Sequence, residues 1–146
     1  MLCRLIVYQK EELYKRAKGW FVDTYKSGKD VIQLDDKENG EIIGKGFFEE
    51  FWNVTFYSGQ AVNVWQTITI QMKSGRYKYE ITDFRMKYHV SPTQYTAGPD
   101  VESTLEDWNK GRDGNGQKFY PKIDSHVKSL IQSLEKAMKT KAESNW

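Results

Sequence analysis

Val62-Asn63-Val64-Trp65-Gln66-Thr67-Ile68-Thr69-Ile70-Gln71-Met72 is the stretch that decides the fold. Val62, Val64, Ile68, Ile70 and Met72 alternate with Asn63, Trp65, Thr67, Thr69 and Gln71. That period of two marks a strand with one buried face. Lys73-Ser74-Gly75 supplies a turn, and Tyr77, Tyr79 and Ile81 continue the apolar face on a returning strand. Near Thr82-Asp83 the apolar parity moves to Phe84, Met86 and Tyr88. A slip of one residue turns every later side chain to the opposite face, so a β-bulge near Asp83 is the economical explanation.

Upstream, Val31-Ile32-Gln33-Leu34 and Glu41 to Phe48 read as two further strands, joined by a turn that ends in Asn39-Gly40. Gly44 and Gly46 share one face of the second, which predicts a helix or backbone approaching closely there. Leu13, Ala17, Trp20, Phe21 and Thr24 recur at helical spacing between Glu11 and Tyr25. Glu11, Glu12, Lys15, Arg16 and Lys18 fall on the opposite, solvated side. Ser27-Gly28 is the stop signal of this helix, and Leu5-Ile6-Val7-Tyr8 reads as a strand ahead of it.

Downstream, His89 to Lys122 holds all three prolines and the tract Gly111-Arg112-Asp113-Gly114-Asn115-Gly116. Ser103-Thr104-Leu105-Glu106 matches a capping box and predicts a short helix through Trp108. Val127, Leu130, Ile131, Leu134 and Met138 form a second helical stripe over Asp124 to Met138, capped by Asp124 or Ser125. The order β-α-β-β-β-β-α describes an α+β domain, an antiparallel sheet with two helices on one face. One domain spans 1–146, with an irregular insertion at about 89–122.

Composition narrows the function classes without naming one. A length of 146 residues fits a single self-sufficient core. Twenty-two basic against twenty acidic residues leave a net charge of +2, which makes nucleic acid an unlikely partner. Cys3 is the sole cysteine, so packing rather than an intrachain disulfide holds the fold. No apolar run reaches the length of a transmembrane helix. Met1-Leu2-Cys3-Arg4 lacks the long apolar stretch of a signal peptide, and a chain trimmed of its signal would read the same way.

Three groups of residues carry a family likeness: Leu13-Tyr14 with Ala17 and Trp20, the strand ending Ile42-Ile43-Gly44-Lys45-Gly46, and Lys73-Ser74-Gly75-Arg76-Tyr77-Lys78-Tyr79-Glu80-Ile81. Together they resemble a bacterial family of unknown function described as TBP-like in fold, over about Leu5 to Met86. The resemblance implies the same β-α-β-β-β-β-α order. It also implies a mature chain of the periplasm or cell envelope, members often being exported. It brings no catalytic residues. Cys3 invites a lipid-anchor reading, but two residues precede it, and a semi-buried free cysteine is the simpler reading.

Candidate chemistry is sparse. His89 and His126 lack metal-ligand spacing to each other or to Cys3. Asp35, Asp36, Glu38, Glu49 and Glu50 read as solvated charges, because paired acid and base roles need unlike environments. Asp107, Asn109 and Asp113 lack the spacing and terminal glutamate of an EF-hand. No catalytic, cofactor or metal site is expected. The candidate contact surface is the polar face of the deciding strand, Asn63, Trp65, Thr67, Thr69 and Gln71, since an exposed tryptophan anchors interfaces. The expected role is a non-catalytic binding or structural module with a protein or small-molecule partner. Two alternatives stand beside it: nucleic-acid binding through the sheet, and a small-molecule or hydrolase pocket under 89–122.

Overall fold

The computed structural model describes residues 9–25, 28–53, 59–89, 100–106 and 115–139. Helix α1 spans Lys10–Tyr25 and the single turn α2 spans Gly28–Val31. Five strands follow: β1 Ile32–Asp36, β2 Glu41–Asn53, β3 Gly59–Lys73, β4 Arg76–His89 and β5 Asp100–Thr104. Helix α3, Asn115–Lys139, completes the order. The strands form one antiparallel sheet in the order β1-β2-β3-β4-β5. The expected leading strand at Leu5–Tyr8 lies outside the described residues, as do Cys3, Trp108 and the Asp107–Asp113 group.

Alternation along β3 is as the sequence requires. Val62, Val64, Gln66, Ile68, Ile70 and Met72 are buried, while Asn63, Trp65, Thr67, Thr69 and Gln71 are partly exposed. In β4 the parity switch coincides with Asp83, whose φ of 56° is left-handed. An extra residue in that conformation is the geometry of a β-bulge, and it returns Met86 to the buried face.

Two compact units share these elements. The first comprises Met1–Lys45, Thr67–Ile81 and Ile131–Trp146. Leu13, Ala17, Trp20 and Phe21 of α1 are buried in it, with Ile42, Ile68, Ile70, Met72, Leu134 and Met138. Phe21 packs directly on Gly44 of β2, which bears out the close approach read from the glycine pair. Trp20 Nε1 donates to Ser133 Oγ at 2.8 Å, joining α1 to the end of α3. Arg16 departs from its expected solvated place: it is 6% exposed. Its guanidinium donates to Met138 O at 2.7 Å and to Glu12 at 3.0 Å. The reason is helix termination, because the last carbonyls of α3 have no partner within the helix and a cation there also suits the dipole.

The second unit comprises Gly46–Gln66 and Thr82–Leu130. Its core gathers Phe48, Val62, Val64, Met86 and Ile123, with Phe84, Tyr88, Leu105 and Val127 packed against them. Regular structure appears within 89–122, which the sequence reads as irregular. Ser103 and Thr104 end β5, which pairs with β4 through Met86↔Ser103 and Arg85↔Thr104, and helical backbone starts directly after them at 105–106, where the capping box expects it. Helix α3 begins at Asn115 rather than Asp124, with Pro121 inside it. Proline leaves one helical hydrogen bond unmade and does not end this helix. Asp124 is therefore no cap; it pairs with Lys128 one turn on, at 2.8 Å.

Candidate functional site

Asn63 and Trp65 belong to the second unit, and Thr67, Thr69 and Gln71 to the first. In the second unit the outward face of β2 carries Phe47 and Phe51, 46% and 52% exposed. The Phe47 ring lies against Trp65, with centroids 4.7 Å apart and planes tilted by 38°. Lys87 of β4 holds its Nζ 4.9 Å from the centre of the Trp65 ring, a cation–π contact. Arg85, on the same outward parity, is engaged at 3.2 Å by both Asp83 and Glu102. The result is an aromatic pair crossed by one ammonium group and bordered by a neutralised guanidinium.

Phe47 and Lys87 did not stand out in the sequence. The available signal for Phe47 was a large apolar residue between Lys45, Gly46 and Glu49, on the polar parity of its strand. For Lys87 it was the bulge at Asp83, which places odd-numbered residues of the following segment outward. In the first unit, Gln71 donates its amide to Glu41 at 2.7 Å. Thr69 and Gln71 line a shallow cavity with Lys78, Tyr79 and Glu80.

A second concavity in the second unit, of about 460 Å³, is lined by Glu50, Pro121, Lys122, Ser125, His126 and Ser129. The His126 ring stacks on Phe48 at 3.6 Å. Burial pushes the imidazole pKa down, partly opposed by the Glu50 charge. Lys122 Nζ donates to Phe51 O at 2.6 Å. Among the described residues no hydrogen bond joins His126 to Ser125 or Ser129, so no activated serine is formed there. Among the described residues, too, no three His, Cys, Asp or Glu side chains gather as a cation site. No helix among them is long and apolar enough to cross a membrane.

Sheet order and the helices around it define an α+β protein of TBP-like fold. The chain belongs to the DUF4468 family, a domain of unknown function with TBP-like fold, whose profile matches residues 6–87. A solved DUF4468 protein from Bacteroides ovatus is similar in structure, with a TM-score of 0.68 and 18% identity over 94% of this chain and 83% of that one. A TBP-like protein from Parabacteroides distasonis gives a TM-score of 0.65 and 16% identity over 92% of this chain and 86% of that one. At such identities the likeness is one of fold. No curated protein matches the chain.

Proposed function

We propose that this chain is a non-catalytic binding module of the bacterial cell envelope, contacting a protein partner through the outward face around Trp65. The observation that carries the reading is the Phe47–Trp65 pair under Lys87, with a second exposed ring, Phe51, four residues further along β2. Exposed aromatic rings on a rigid sheet supply contact area at small conformational cost, and tryptophan is the commonest kind of interface anchor. Lys87 favours a partner that sets a carboxylate beside its apolar anchor. The envelope setting rests on the family resemblance alone.

The test compares wild type with Trp65→Ala for folding and for capture of a partner from the envelope fraction of the native cells. The variant is expected to unfold cooperatively near the wild-type midpoint while losing the captured protein. A large loss of stability in Trp65→Ala, or undiminished capture, overturns the reading. Fractionation of the same cells checks the setting: a chain found in the cytoplasm with Met1 intact removes the envelope from the proposal.

A further inference from the structure

The β3–β4 hairpin of the first unit carries an unusual arrangement of charge. Lys73 ends β3 and Arg76 begins β4, so the two cations flank the two-residue turn Ser74–Gly75. Gly75 takes the left-handed conformation, φ 82°, that so tight a turn needs. Lys78 follows two residues later, on the same strand parity as Arg76. Like charges facing across strands destabilise a hairpin. Among the described residues no carboxylate pairs with Lys73, Arg76 or Lys78. Glu41 lines one cleft with these three and keeps its charge while its Oε2 accepts the Gln71 amide at 2.7 Å. Three cations therefore stand against one carboxylate, and the cleft keeps an excess of positive charge.

These three side chains line a cavity of about 550 Å³, together with the Glu41 carboxylate, Gln71, Asn39, Met72 and Tyr77. That volume lies within the range of small-molecule sites, roughly 300–1,000 Å³. Its polar walls are fixed in place. Asn39 is held by Asp36 through two hydrogen bonds, at 3.1 and 2.7 Å, and Gln71 by Glu41. The wall thus offers two ammonium groups and one guanidinium beside a single carboxylate.

We propose that this cleft binds a small phosphorylated molecule, its phosphate held by Lys73, Arg76 and Lys78. A monoanionic carboxylate would satisfy one cation and leave the others opposed. A phosphomonoester brings about two negative charges and three acceptor oxygens at neutral pH, which matches the set. Guanidinium and ammonium groups are the side chains best suited to it. The cleft lies in the first unit and is independent of the Trp65 face.

The experiment is calorimetric titration of the intact chain with glucose 6-phosphate, inorganic phosphate and glucose at constant ionic strength. Saturable binding of the first two and none of glucose is expected. Arg76→Gln should weaken sugar-phosphate binding about tenfold, the loss expected of one charged hydrogen bond. Lys15→Gln, a charge change on α1, should leave it unaltered. Thermal unfolding without ligand separates a structural role, because Arg76→Gln relieves the repulsion with Lys73 and should unfold at the same or a higher temperature. Absent saturation, equal weakening by Lys15→Gln, or a lowered unfolding temperature in Arg76→Gln overturns the proposal. So does binding confined to phosphatidic-acid vesicles with none to the sugar phosphate.

Discussion

The Phe21 ring of α1 occupies the space that a side chain on Gly44 of β2 would need. A Cβ added at Gly44 stands 3.0 Å from both Cδ1 and Cζ of that ring, and closer still to Cε1. Phe21 is fully buried and has no open space to retreat into. The helix–sheet spacing in the first unit is thus set by the absence of one methyl group.

Gly44→Ala should therefore destabilise by about 1–3 kcal/mol, the usual cost of overpacking a closed core. Phe21→Leu in the same chain should recover part of that loss, because the two changes share one volume and cannot be additive. Urea unfolding of both single variants and the double variant measures the coupling. Strict additivity would show that Gly44 matters for its backbone rather than its lack of a side chain.

Arg16→Met keeps much of the buried hydrocarbon but leaves Met138 O without its guanidinium donor. The expected cost is about 1–3 kcal/mol, that of a buried acceptor losing a charged partner. Amide exchange should localise it, with the last turn of α3 losing protection first. Unchanged exchange there would show that the contact contributes little.

His126 gives a pH dependence of definite sign. Burial lowers its folded-state pKa, so the unfolded chain binds the proton more readily than the native one. Its contribution is intact above the unfolded value of about 6.5 and is lost as the pH falls below it. His126→Phe keeps a ring on Phe48 and removes the titration. Wild type should lose stability between about pH 7.5 and 5.5, and the variant should lose less over the same interval. Parallel losses in the two chains would assign the effect to other groups.

Asp35 titrates in the opposite range. Its carboxylate accepts from the Tyr14 hydroxyl and, at 2.9 Å, from Lys18 Nζ. The Tyr14 bond is the leading cause that holds its pKa below the usual value, against desolvation. The stabilisation is present above about pH 3.9 and is lost as the pH falls through the lowered folded value. The stability gap between wild type and Tyr14→Phe should accordingly be wide at neutral pH and narrow under acid. A gap that stays constant into acid would show that the hydroxyl acts by packing alone.

The parts legible in the sequence were those governed by periodicity. The stripe Leu13, Ala17, Trp20 and Phe21, the alternation of β3 and the bulge near Asp83 all depend on neighbours within a few residues. What escaped depends on distant partners. Nothing near Arg16 announces that its acceptor is Met138, 122 residues away. β5 is five residues long, Asp100-Val101-Glu102-Ser103-Thr104, and four of them are polar. Its strand character comes from the β4 edge that it completes. Pro121 sits inside α3, which helix propensity alone disfavours, since it counts the lost hydrogen bond and not the packing that holds the helix on either side. Trp65 stood out through its parity, whereas Phe47 and Lys87 joined it only through strand register.

The left-handed residue at Asp83 has a consequence for how this sheet tolerates change in length. Gain or loss of two residues in β4 conserves which side chains meet the core, but gain or loss of one does not. Deleting Asp83 would remove the bulge and leave Phe84, Met86 and Tyr88 in line with Tyr77, Tyr79 and Ile81, whereas deleting one residue elsewhere in β4, with the bulge kept, would turn one part of the strand's inward face to solvent. Relatives with a longer or shorter β4 should therefore differ by even numbers, or else have their single-residue insertions and deletions clustered at this one position.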